Sequence, residues 1–380
     1  MKKILLLLLA LLLVACAAEP TPTIPTEPVT IPVTQPPTEP PTEPPTDPPD
    51  PIADTVAAMT TEEKVGQLFL ARYDETNAPA HTESYHLGGW ILFAPDFDGE
   101  TPDSIRAELD HLQSLSEIPL LIAVDEEGGT VTRVSRYPAF RDSKFPSPRS
   151  LYKKGGAELV LQMETEKSNL LSALGIHVNL APVCDITTDS GAFMYSRSLG
   201  LTPEETGSVV AGMVQTMAEH GVQAVLKHFP GYGNNTDTHV GIARDSRSLD
   251  ELEAKDLIPF QAGFEAGCGA VLVSHTIVEC LDAELPASLS PAVMDYIRTK
   301  MDFGGVIVTD DLVMQAITDR YGAGESAVMA IQAGCDLLCS TEYVTQYQAV
   351  LQAAEEGRIS QETLDAAVYR ILRWKQTISQ

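Results

Sequence analysis

Basic residues are scarce in this chain. Its 380 residues hold 25 Lys and Arg against 53 Asp and Glu, a net charge of −28. Nucleic-acid binding needs cations against phosphate, so that class is disfavoured, and charge-driven docking on anionic lipid with it. Cysteine is also sparse. The six (Cys16, Cys184, Cys268, Cys280, Cys335 and Cys339) show neither zinc spacing nor the density of a disulfide scaffold. Cys335 and Cys339 are expected on one face of a strand, as small buried residues rather than metal ligands. There is no phosphate loop, and no Gly-rich dinucleotide fingerprint follows the first strand signal. The expectation is a protein with no metal and no cofactor.

What is present begins with a leader. Met1-Lys2-Lys3 and the apolar run Ile4 to Val14 form the basic and hydrophobic parts of a secretory signal, too short for a spanning helix. Leu13-Val14-Ala15-Cys16 resembles the lipobox of bacterial lipoproteins, which implies lipidation of Cys16 and a membrane anchor outside the cytoplasm. Residues 1–16 are therefore expected to be the signal peptide. Residues 17–51 are Pro, Thr and Glu with almost no large apolar side chain, a composition that cannot offset its ordering entropy by burial. Extended at about 3.1 Å per residue, such a tether reaches roughly 100 Å.

Residues 52–380 change character. Eight short apolar runs alternate with amphipathic helical stretches: Gln67–Ala71, Trp90–Phe93, Pro119–Val124, His177–Val183, Ala224–Lys227, Ala270–Val273, Gly305–Val308 and Cys335–Leu338. Near-continuous apolar strands separated by helices, eight times over, predict an α/β fold, a (β/α)8 TIM barrel. An open doubly wound sheet is the rival, and the missing fingerprint removes its usual reason. A barrel collects function at the C-terminal ends of its strands. There the sequence sets Asp125, Asp185, Lys227-His228, Ser274-His275 and Asp310-Asp311.

The fifth run leads into Lys227-His228-Phe229-Pro230-Gly231-Tyr232-Gly233 and then Asp237-Thr238-His239. Pro230, Gly231 and Gly233 forbid a regular element there. Converging carboxylates without metal spacing suit nucleophilic and general acid/base work. Asp310 can attack a carbon bearing a leaving group. His239, of ordinary pKa about 6.5, can protonate the departing alkoxide, and Asp237 can orient it. Asp185 reads as a structural hydrogen-bond acceptor, and the Asp311 side chain as pointing away from the nucleophile, into the wall or a helix cap.

These motifs resemble glycoside hydrolase family 3 β-N-acetylglucosaminidases. Val124-Asp125-Glu126-Glu127-Gly128-Gly129, Asn179 to Ile186, Arg197-Ser198-Leu199-Gly200, the central loop, Pro286 to Ser290 and Val308-Thr309-Asp310 occur in the family's order. The resemblance implies Asp310 as nucleophile and His239 with Asp237 as acid/base dyad. It implies that Asp125, Arg133, Arg197, Lys227, His228 and His275 hold the sugar. The expected activity is exo-acting, retaining hydrolysis of terminal N-acetyl-β-glucosaminides in wall muropeptides or chito-oligosaccharides, by a monomer. A β-glycosidase or phosphorylase of the same fold, or a non-catalytic sugar-binding lipoprotein, are the alternatives. Three departures bear on substrate preference: Tyr232 stands where the family usually has His, Thr130 where it usually has Arg, and the loop between the Lys227-His228 pair and Asp237 is shortened.

Overall fold

The computed structural model describes residues 50–233, 241 and 243–378. The leader with Cys16, the tether to residue 49, and Asp237 and His239 lie outside the described residues. Among the described residues ten strands occur in chain order: β1 (Phe69–Arg72), β2 (Gly89–Leu92), β3 (Leu121–Val124), β4 (Val178–Asn179) and β5 (Gln223–Phe229), then β6 (Arg244–Asp245), β7 (Ala270–Val273), β8 (Ile277–Val278), β9 (Val306–Thr309) and β10 (Leu338–Ser340). Eight of them form one parallel sheet in the order β10-β1-β2-β3-β4-β5-β7-β9. A parallel bridge from Val308 to Leu337 joins its two ends, so the sheet closes into the expected barrel. The short pair β6 and β8 stands apart from it.

The strands are apolar on both faces because each is covered twice, by barrel interior and by helix. β2, β3, β7 and β9 have no exposed residue. Helix starts are marked by chemistry that satisfies the first free N–H groups. Thr60 with Glu63, Thr202 with Glu205, and Ser248 with Glu251 form reciprocal capping boxes. Asp50 accepts from the amides of Ile52 and Ala53, and Pro51 opens the helix Pro51–Ala58. The folded body thus takes in two residues that composition alone assigns to the tether. Among the described residues no helix is long and apolar enough to cross a membrane.

Two expectations need correction. The eighth strand begins three residues later than its apolar run, at Leu338. Gly334, with φ +111°, ends the preceding helix. Asp336 then turns inward to accept from Arg298, Arg370 and the Ile307 amide, so residues 335–337 are used as a junction. Cys335 is therefore not on a strand with Cys339; its thiol meets the Ser288 carbonyl oxygen at 3.3 Å. One of the helical stretches between the runs, residues 249–266, is also interrupted. Pro259 cannot donate to the carbonyl four residues back, and a π-turn over Leu252–Asp256 precedes the helix Ile258–Glu265.

Candidate active site

At the C-terminal end of the barrel lies a cavity of about 700 Å³. Asp125 just past β3, Arg133, Arg197, Lys227 and His228 on β5, and Asp310 just past β9 all line it. Six of the side chains expected from the sequence thus meet in one hollow, from segments separated by up to 185 positions. Its floor is apolar, with Ile91, Leu180 and Leu272, and the residues after Asp310 form a further wall with Met314, Gln315 and Thr318.

The inner end is an ion-paired network. Lys227, 2% exposed, donates to Asp125 at 2.6 Å and lies 2.7 Å from Glu127. Arg133 approaches the other Asp125 oxygen at 3.3 Å. Arg197 forks onto both Glu127 oxygens, at 2.6 and 2.9 Å, and donates to His228 Nε2 at 3.1 Å. His228 Nδ1 faces Asp185 at 2.8 Å, so the proton on that ring sits on Nδ1. Asp185 also accepts from the backbone amides of His228 and Tyr232, which makes it the acceptor the sequence reading expects. Burial alone would raise the Asp125 carboxyl, but Lys227 and Arg133 outweigh it and hold it below its usual value. Glu127 and Asp185 are depressed in the same way, against burial, by Lys227 with Arg197 and by His228 respectively. Burial would lower the Lys227 ammonium, yet Asp125 and Glu127 together raise it. Asp125, Glu127 and Lys227 thus hold one another in their charged forms.

Local sequence explains how these groups are carried. Gly128 has φ +100°, and a Cβ there would come within 2.4 Å of the Pro146 carbonyl oxygen. The turn it permits is fixed by buried Glu126, which accepts from the amides of Arg133 and Val134 and so presents Arg133 to the cavity. Gly231 has φ +113°, and its carbonyl accepts from Arg247 at 3.1 Å. Arg247 also binds Asp245 on β6 and, at 2.6 Å, Asp256 from the π-turn, tying the base of the central loop.

Asp310 donates its amide to the Val273 carbonyl, and its Oδ1 accepts the Asp311 amide at 2.9 Å. The Asp311 carboxylate turns to Thr341 and the Val313 amide rather than to Asp310, while Asp311 still lines the cavity. His275 is brought close to this turn but not to the cavity wall: it is fully buried. Tyr232 is 2% exposed and meets the His228 ring edge-on at 5.3 Å. Thr130 is exposed, and its neighbour Val131 lines the cavity instead.

Sequence reasoning missed Glu127 as a site residue. The clue was parity: two positions past Asp125 at a strand end places it on the same side. It also missed Phe93, whose ring lies under the guanidinium groups of Arg72 and Arg133, at 4.9 and 5.4 Å. No local signal marks Arg247. Among the described residues no group of His, Cys, Asp or Glu could hold a metal ion. A carboxylate at one wall, facing a rank of fixed donors and acceptors, suits a polyhydroxylated ligand with a carbon open to attack.

Comparison with known proteins agrees with this chemistry. Residues 60–374 match the glycosyl hydrolase family 3 N terminal domain. The chain is 31% identical over 331 residues to the beta-hexosaminidase LpqI of Mycobacterium tuberculosis, covering 84% of each. It is 33% identical over 284 residues to a beta-hexosaminidase of Methylococcus capsulatus, covering 72% of this chain and 81% of that one. A solved family 3 beta-N-acetylglucosaminidase from a Paenibacillus strain superposes with TM-score 0.80 at 34% identity. The match covers 85% of this chain and 63% of that one.

Proposed function

The chain belongs to glycosyl hydrolase family 3, and on that premise we propose an exo-acting, retaining β-N-acetylglucosaminidase with Asp310 as nucleophile. The observation that carries the reading is the convergence of Asp310 and five expected sugar-holding side chains on one cavity. A terminal N-acetylglucosamine ring lies among Asp125, Arg133, Lys227, Arg197 and His228, which exchange hydrogen bonds with its hydroxyls and amide. An Asp310 oxygen attacks the anomeric carbon as the bond to the leaving oxygen breaks. His239, oriented by Asp237, gives that oxygen its proton. The same imidazole then takes a proton from water, which attacks the anomeric carbon and frees Asp310. Two displacements return the original configuration. The beta-hexosaminidase names of the relatives support the N-acetylated substrate.

The test is product analysis on chitobiose and on a disaccharide-peptide wall fragment, with wild type and Asp310→Asn. Wild type releases N-acetylglucosamine as its β-anomer, and the variant loses at least ~10³-fold in turnover while still binding the sugar. Unchanged turnover in the variant would dispose of the mechanism. We place the enzyme outside the cytoplasm, held by lipid on Cys16, where wall fragments are its substrate. Fatty-acid labelling that persists in Cys16→Ala would contradict the anchor.

A further inference from the structure

His275 is a buried imidazole that the reaction scheme above leaves without a task. It follows β7, and it is 0% exposed and absent from the described cavity wall. Its Nε2 lies 3.0 Å from the carbonyl oxygen of Asp311, and its Nδ1 2.7 Å from Ser288 Oγ. A carbonyl oxygen only accepts, so Nε2 carries the hydrogen. In the neutral ring Nδ1 is then the acceptor, and the Ser288 hydroxyl donates into it. Ser288 is fully buried, its own amide tied to the Ser274 carbonyl at 3.1 Å. The Ser288–His275 pair thus sets an N–H on the Asp311 carbonyl.

That peptide belongs to the residue which orients the nucleophile. The Asp311 amide donates to Asp310 Oδ1 at 2.9 Å, while the Asp311 side chain is held by Thr341 Oγ1 at 2.5 Å and by the Val313 amide at 3.2 Å. Asp311 is therefore gripped through its carbonyl, its carboxylate and its amide, and only the last grip falls on Asp310. The geometry points to His275 as a positioning residue that sets the direction of the Asp310 carboxylate through the Asp311 backbone, with Ser288 fixing its proton. The inference rests on Asp310 being the nucleophile.

Hydrolysis of aryl N-acetyl-β-glucosaminides with leaving groups of graded basicity tests this role in His275→Ala, His275→Gln and Ser288→Ala. Carboxylate attack is common to all such substrates, whereas proton donation matters most for the basic leaving groups. Misplacing a reacting group by about an ångström costs up to ~10²-fold, so His275→Ala is expected to lose roughly 10- to 100-fold in kcat. KM stays within about threefold, and the loss is the same for every leaving group. Gln supplies an N–H near the Nε2 position and restores kcat to within about fivefold of wild type, with Ser288→Ala in between. A kcat within twofold of wild type in His275→Ala, a loss confined to KM, or a loss that grows with leaving-group basicity would overturn the proposal. Should His275→Ala fail to fold, wild-type kcat in Ser288→Ala overturns it equally. Wild type that turns over none of these substrates would instead retire the glycosidase reading itself.

Discussion

Two lysines are buried at opposite ends of this barrel, and their surroundings push them in opposite directions. Lys227, at the C-terminal end, is 2% exposed and sits against Asp125 and Glu127, which keep its ammonium above the ordinary lysine value despite burial. Lys375, near the N-terminal end, is 4% exposed and donates to the Gln67 side-chain oxygen at 2.7 Å. Burial there pushes its pKa down to about 7. The same residue type, equally removed from water, is a fixed charge at one end and close to neutral at the other. A fixed field at the C-terminal end is what orienting a polar substrate beside a nucleophilic carboxylate requires. At the N-terminal end it is desolvation that prevails over the ammonium charge.

The strongest way to break this contrast is Lys227→Met. It leaves Asp125 and Glu127 facing each other and the remaining arginines without their central cation. Removing one partner of a buried pair costs about 3–5 kcal/mol, so denaturant melts should show a loss of that size. The kcat/KM should fall by ~10² or more, because the cavity-lining Asp125 carboxylate loses its alignment. A variant that melts and turns over like wild type would show the network to be ornamental.

Lys375→Met, by contrast, trades the desolvation of a buried amine for a Gln67 oxygen left without its donor, so at neutral pH it should shift stability by at most about 1–2 kcal/mol and leave turnover unchanged. The pH dependence sharpens the point. The folded-state pKa of about 7 lies below the ordinary lysine value near 10.5. Between those values the unfolded chain binds the extra proton, so wild-type stability gains from Lys375 losing it as pH rises. The stability of Lys375→Met relative to wild type is therefore highest below pH 7 and falls toward pH 10. A difference that stays constant across that range would contradict the assigned burial effect.

The smallest effect lies on the acid side. The depressed carboxyls Asp125, Glu127 and Asp185 contribute stability that is present above their unfolded values and lost as pH falls through their folded ones. Wild type should hold its stability down to the ordinary carboxylate range and lose it below. In Lys227→Met the pairing that depresses Asp125 and Glu127 is weaker, so the loss begins at higher pH. Coincident acid limbs for the two proteins would argue against the coupling.

Most of the barrel was legible because its strands are apolar on both faces and its loops break at Gly and Pro. The run Ala270–Val273 is a strand with the same limits in the structure. The eighth was misplaced because Cys335 and Leu337 are as apolar as a strand requires, while the partners that draw Asp336 inward, Arg298 and Arg370, lie over thirty positions away in the chain. Asp125, Lys227 and Asp310 could be expected from strand-end position plus residue type. Parity could place Glu127 beside Asp125 but not give it a role, and nothing local marks Arg247, since both roles come from partners on other segments. His275 was legible as a strand-end imidazole, but only coordinates show that its ring faces the Asp311 backbone.

The central claim is that Asp310 forms the bond to the sugar. It is tested most directly by trapping the enzyme with a 5-fluoro N-acetylglucosaminyl fluoride, whose glycosyl-enzyme hydrolyses slowly, and mapping the adduct by peptide mass spectrometry. The account predicts one sugar on the Asp310 carboxylate and none in Asp310→Asn. A sugar on another carboxylate, or full turnover of the reagent with no adduct at any time point, would contradict it.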